Sequence, residues 1–357
     1  MTKARDLASF LGNNTSLNTI NNAYVAGTLV PSSSNANMVM NGDFRVYQRN
    51  GGTINPTTYQ YGIDRWFYSG AQGSNNYYTM GQSTDAPSGF SNSLLITSTT
   101  SSSPQSLYYV RTHFEGYDVA HLDYGTSDAK TTTVSFWIKA SGAGDYGFIL
   151  YNSNAPYTNY STTYTVNVAN TWEYKTINIP ANTLQVTATG NSDSMRLSFP
   201  FGNNSSRASA TNAWGTSGDI HTMSGVYDFL GTSGATLQLT GIKWEVGSEA
   251  TDFQHVPYAE ELAKCHRYFF KSSTSATSMA DATAPSYTFR GKRYAKHSLP
   301  TVMRANPTVT AVQHAANYSG GITANGQHDY VYLAPSSTTD ISGTQYWYGG
   351  FTADAEL

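Results

Sequence analysis

Leu237-Gln-Leu-Thr-Gly-Ile-Lys-Trp-Glu-Val-Gly-Ser-Glu-Ala-Thr-Asp-Phe-Gln-His-Val-Pro-Tyr-Ala-Glu-Glu-Leu-Ala-Lys-Cys-His-Arg-Tyr-Phe-Phe270 decides how the chain is read. Leu237 and Leu239 share one strand face, whereas Ile242, Trp244 and Val246 share the opposite parity. A bulge at Thr240-Gly241 would produce that switch. Gly247 ends the strand, and Pro257 suits a first helical position. From there Tyr258, Leu262, Cys265 and Phe269 fall at helical spacing, with Glu260 four residues before Lys264. The segment predicts a final sheet strand followed by a short clasp helix near 257–266. Tyr268-Phe269-Phe270 could equally begin a new strand.

Outward from this stretch, composition points the same way. The chain has 357 residues, of which 12% are charged and 39% hydrophobic, with 31 glycines and 27 tyrosines. Ser and Thr make up roughly a quarter, which favours strands and turns over helices. Runs of period two recur. Val134, Phe136 and Ile138 alternate with Ser135, Trp137 and Lys139; Tyr146, Phe148 and Leu150 alternate with Gly147, Ile149 and Tyr151; Met195, Leu197 and Phe199 alternate with Arg196 and Ser198. Turn clusters at 141–144, 190–193 and 231–234 separate such runs. The expectation is all-β, a jelly-roll β-sandwich over 37–270. A short N-terminal arm precedes it at 1–36, and a smaller β-module follows at 271–357. In the arm, Leu7, Ala8 and Leu11 form an apolar stripe on a helix too short to stand alone, so they are expected to dock on something.

Several function classes are disfavoured. A net charge of -3 does not suit nucleic acid. One cysteine leaves no internal disulfide. No apolar run approaches the ~20 residues of a membrane span. No early run resembles a signal peptide, so synthesis in the cytoplasm is expected. Catalytic signatures are missing as well: there is no Gly-x-Ser-x-Gly, no phosphate-binding loop and no His-Glu-x-x-His. The densest titratable group is His113, Glu115, Asp118, His121 and Asp123. It could serve metal or acid–base chemistry, or it is the ordinary polar face of a strand.

Aromatic residues mixed with amides are the better lead, because sugar rings stack on aromatic faces while their hydroxyls seek polar side chains. Tyr77 and Tyr78 beside Asn75 and Asn76 fit that pattern. So do Tyr151, Asn154, Tyr157 and Tyr160, and Trp214 after Asn203 and Asn204. These rings could equally staple loops to the sandwich rim. Arg290, Lys292, Arg293 and Lys296, with His297, form a cationic patch suited to an anionic partner or a solvated face. The aromatic run Tyr346 to Phe351 is expected to be buried between subunits or to grip a receptor.

Three segments carry a resemblance. Asn41-Gly42-Asp43-Phe44 with Asp64-Arg65-Trp66, Trp244-Glu245-Val246-Gly247 with Ala250-Thr251-Asp252-Phe253, and Glu260-Glu261-Leu262-Ala263-Lys264-Cys265-His266-Arg267-Tyr268 are similar to a family of bacteriophage virion proteins. These include tail fibres and other host-facing proteins. Met303-Arg304-Ala305-Asn306-Pro307-Thr308-Val309-Thr310 and the opening Lys3 to Ala8 resemble it too. Lys243 and His266 stand where the family usually has Gln. The resemblance implies a carbohydrate-binding-module-like sandwich, with its opening segment and exit strand side by side. It also implies a structural calcium near Asp43 and Asp252, which otherwise read as turn caps. The expected function is a virion component, a tail fibre or host-attachment protein binding host cell-surface polysaccharide and other virion proteins as a homotrimer, with no enzymatic activity. The alternatives are a capsid-decorating or tail-adaptor protein and a polysaccharide depolymerase.

Overall fold

The computed structural model describes residues 22–25, 28–31, 36–49, 52–56, 59–69, 77–99, 101, 108–203, 210–216, 222–272, 286–290, 295–316, 322–335 and 344–357. Leu7, Ala8 and Leu11 lie outside them, as do Lys292 and Arg293.

In chain order the strands begin with a hairpin, β1 (Asn22–Val25) and β2 (Thr28–Pro31). The next are β3 (Gln60–Tyr61), β4 (Phe67–Tyr68), β5 (Tyr78–Ser83), β6 (Ser93–Ser98) and β7 (Tyr109–Glu115). Helix α1 (Gly116–Val119) leads to β8 (Thr132–Ala140), β9 (Gly144–Asn152), β10 (Thr158–Val166) and β11 (Glu173–Ile179). Then come β12 (Asp193–Pro200), β13 (Trp214–Gly215), β14 (Thr236–Val246) and helix α2 (Tyr258–His266). The chain closes with β15 (Phe269–Lys271), β16 (Ser286–Arg290), β17 (Ala295–Ser298), β18 (Thr308–Ala316), β19 (Ile322–Gly326), β20 (Tyr330–Pro335) and β21 (Thr344–Asp354).

Two antiparallel sheets make the jelly-roll sandwich. One has seven strands in the order β13-β10-β9-β12-β7-β4-β3, the other five in the order β11-β8-β14-β6-β5. The period-two runs explain the core: Val134, Phe136 and Ile138 from one sheet meet Phe148, Leu150, Leu197 and Phe199 from the other. Trp66 and Trp244 are fully buried, with ring centroids 4.9 Å from Phe44 and Phe114 respectively. Strand β14 bulges against β8 between Thr240 and Lys243, and Gly241 takes the positive φ of 62° that the bulge requires. That extra residue turns Leu237, Leu239, Ile242 and Trp244 all toward the core.

The opening segment and exit strand do lie side by side. Met38 N–H donates to Trp244 O at 2.9 Å, and Ile242 N–H to Gly42 O at 2.9 Å. A Cβ on Gly42 would meet Ile242 O at 2.2 Å, so only glycine fits that approach. Asn41 holds the turn through its side chain, donating to Val46 O and Asp64 O and accepting Val46 N–H.

Helix α2 follows Pro257, as its sequence indicates, but its buried face carries Glu261 and Cys265 while Tyr258 is half exposed. Glu261 turns inward because its carboxylate accepts the Asn41 N–H. Strand β15 pairs with β21, so Phe269–Lys271 belongs to the C-terminal sheet. That module has two small sheets and its own cluster of Leu299, Met303, Val331, Leu333, Phe351 and Ala353. Of the aromatic run Tyr346 to Phe351, expected to be buried between subunits or to grip a receptor, Phe351 is fully buried inside its own module, and the side chains of Tyr346, Trp347 and Tyr348 lie outside the described residues. Charges join the module to the sandwich. Glu356 takes Arg65 and Arg49, Arg267 forks onto Glu115 at 2.6 and 3.0 Å, and the Arg65 guanidinium stacks on Tyr268 at 3.4 Å.

Candidate functional site

The outer face of the five-stranded sheet carries the clearest site. On β8 the residues between the core positions point outward, which puts Trp137 on the surface; on β11 the same alternation exposes Tyr174. The two are register neighbours, and their ring centroids lie 5.4 Å apart. Across from them stands a second aromatic group. Phe90, Phe253 and His255 pack mutually with centroid separations of 5.0 to 5.2 Å. The loop after β14 folds back over that strand and so brings Phe253 and His255 to Phe90. Gly241 forms part of the floor, and a Cβ there would strike the Phe90 ring at 2.6 Å. Between the walls runs an open groove of about 480 Å³, also lined by Ser88, Thr251 and Asp252.

Such a groove offers flat apolar ring faces together with hydroxyl and carboxylate acceptors, the combination a sugar requires. Polar contacts tie the segment before Ser88 to the same sheet. Asp85 accepts Lys139 Nζ at 2.6 Å and Trp172 Nε1 at 3.2 Å. The Lys139 hydrogen bond holds its carboxyl below the usual range. A smaller cavity of about 160 Å³ adjoins, sharing Phe253 and lined by Asp43, Arg45, Glu261 and Lys264.

The aromatic residues singled out from the sequence do not meet in this groove. Tyr78 is buried in the core and donates to Ser69 O at 2.5 Å. Tyr160 is buried beside Trp214, and its hydroxyl donates to Asn178 O. Tyr151 is buried on the outer face of the seven-stranded sheet, where Ile149, Met223 and Val226 cover it. These three rings are committed to packing, which corrects their reading as ligand contacts. Tyr157 stacks on Tyr151 at 5.9 Å and remains 48% exposed, and half-buried Asn154 donates to Val186 O. Tyr77 packs against Tyr108, and Trp214 is half-buried with its Nε1–H donating to Pro180 O. Lys296 is exposed, with its Nζ 3.7 Å above the Tyr330 ring. The side chain of Arg290 lies outside the described residues.

The titratable cluster disperses. His113 Nδ1 faces Asp193 at 3.4 Å, Glu115 takes Arg267, and Asp123 pairs with Lys130 at 2.8 Å. Burial pushes the His113 imidazole down to about 4. Burial opposes charge on Asp193 too, yet His113 and Arg196 hold its carboxyl at about 2. Asp43 pairs with Arg45 at 2.5 Å, and exposed Asp252 contributes its backbone carbonyl to Lys243. Among the described residues, no three His, Cys, Asp or Glu side chains gather as metal ligands.

No protein-family model matches the sequence, and neither does any curated protein. Solved structures give distant likenesses. The CBM22-1 xylan-binding domain from Paenibacillus barcinonensis is 9% identical, with 61% of this chain and 98% of that domain covered at a TM-score of 0.30. The N-terminal cellulose-binding domain of Cellulomonas fimi β-1,4-glucanase C is 14% identical, covering 56% and 99% at a TM-score of 0.30. The enzymatically active domain of tailspike protein 4 from bacteriophage CBA120 is 12% identical, covering 59% of this chain but 21% of that one at a TM-score of 0.31. Overlaps this loose carry no argument about ligand or activity.

Proposed function

We propose that this chain is a host-facing component of a phage virion that binds cell-surface glycan without cleaving it. The groove between Trp137/Tyr174 and Phe90/Phe253/His255 is the observation that carries the binding half of this reading. The phage half rests on the three sequence segments that resemble virion proteins. Two of them, around Asn41–Trp66 and Trp244–Phe253, meet where the opening segment pairs with the exit strand, and the second supplies Thr251, Asp252 and Phe253 to the groove. Weak single-site contacts with sugar become useful when identical chains act together, so the reading includes a homotrimer whose groove copies raise effective concentration.

The test joins particle proteomics to a glycan array. The chain should be found in purified virions, and the recombinant protein should bind host polysaccharide. Trp137→Ala should lower affinity about 30-fold, the ~2 kcal/mol of a stacking hot spot, with the melting temperature unchanged. Absence from particles sinks the virion claim. Binding that ignores Trp137 sinks the groove.

A further inference from the structure

Lys243 and Glu245 sit on the solvent-side face of β14, alternating with the core residues Ile242 and Trp244, yet they are 0% and 1% exposed. Charged side chains on the outer face of a sheet normally reach water. Here the loop after Gly247 has folded over them. Lys243 Nζ lies 3.1 Å from Glu245 Oε2, donates to Asp252 O at 3.0 Å, and also donates to Thr251 Oγ1. Glu245 in turn accepts Thr251 N–H at 2.8 Å and the Thr251 hydroxyl at 2.6 Å. The ammonium thus has two hydrogen-bond acceptors on the loop beside its ion-pair partner, and each Glu245 oxygen has a donor. Every one of these bonds to the loop ends on Thr251 or Asp252, which line the groove immediately before Phe253.

From this geometry we propose that Lys243 and Glu245 are positioning residues for the ligand groove. They form a buried latch that holds the Thr251–Phe253 wall in its ligand-ready place. The proposal rests on the glycan reading of the groove. Neither residue lines the groove; both act through the loop. A loop anchored only by apolar contact could slide along the sheet, because such contact is not directional. Four directional bonds to two consecutive residues fix both the height and the register of the wall. With the wall fixed beforehand, binding loses less conformational entropy. Well-packed apolar residues can replace a buried ion pair with little change in stability, so stability and positioning are separable by experiment.

The test uses the full chain and the double variant Lys243→Met/Glu245→Leu, with host polysaccharide fragments as probe. The expected result is a melting temperature close to wild type, a tenfold or greater loss of affinity, and faster amide exchange at Thr251 and its neighbours. Should the double variant fold poorly, Glu245→Gln provides the second measurement: it keeps an acceptor for Thr251 N–H but lacks the charge, and should lie between the two. Wild-type affinity in either folded variant overturns the latch, as does unchanged exchange at Thr251. If the wild type binds no glycan at all, the glycan reading fails, and exchange at Thr251 still decides whether the latch orders the wall.

Discussion

Replacing Glu356 by Ala removes one carboxylate from between two guanidinium groups at the seam of sandwich and C-terminal module. The Glu356 side chain is 4% exposed and its partners Arg65 and Arg49 are 2% and 9% exposed, so water is poorly placed to substitute for it. Deleting one partner of a buried ion pair costs about 3–5 kcal/mol, because the remaining charge stays buried without compensation. Arg49 keeps Asp354 at 2.7 Å, so most of the loss falls on Arg65. Its remaining contacts are the His113 carbonyl and the Tyr268 ring, both of which favour a cation without neutralising it. The lower end, about 3 kcal/mol, is therefore expected, which for a domain of this size is about 6–12 °C in melting temperature. Thermal and urea melts followed by circular dichroism would measure it. Glu260→Ala is the control: its 3.0 Å pair with Lys264 joins side chains 53% and 41% exposed, and should cost less than about 0.5 kcal/mol. The reasoning is refuted if Glu356→Ala melts with wild type, or if the exposed control costs as much.

Two further outcomes follow from buried titratable groups. His113 is held down at about 4 from 6.5, so its contribution is present above pH 6.5 and is lost as pH falls through that window to 4. Asp64 is pushed by burial up to about 6 from 3.8, and works in the opposite sense: it adds stability as pH falls from 6 toward 3.8. Relative to wild type, His113→Asn should therefore gain on the order of 2 kcal/mol as pH falls from 6.5 to 4.5, because the loss carried by the buried imidazole is gone; a difference in urea-derived stability between variant and wild type that does not change over that window contradicts it. Cys265 is fully buried and burial pushes its thiol well up; pulse alkylation should leave it unmodified in the native protein and label it at the rate of unfolding.

Much of the sandwich was legible because a half-buried strand writes its burial directly into residue parity. The runs at 134–138, 146–150 and 195–199 became β8, β9 and β12 with the expected faces inward. The parity switch at Thr240-Gly241 marks the bulge of β14 in the sequence. The groove was only half legible. Trp137 is an outward Trp in an otherwise clean alternating strand, a local signal that could have been followed. Phe90 and Tyr174 carry none, since a lone aromatic in a loop or on an edge strand looks like any other. Tyrosine-rich stretches misled for the same reason: density of aromatics in sequence does not say whether a ring faces the core, as Tyr78 and Tyr160 show.

By itself, then, the sequence determined the local alternations: which positions form strands, which side of each strand is apolar, and where a glycine lets the chain bulge or approach itself. Those depend on neighbours two to four residues away. The tertiary structure alone decided which outward-facing rings share a groove, and that Lys243 and Glu245 are buried beneath a loop and not solvated. Each of those outcomes depends on how strands from β8, β11 and β14 order themselves in one sheet. Register between strands far apart in the chain is set by the whole packed core, and no short stretch of sequence carries it.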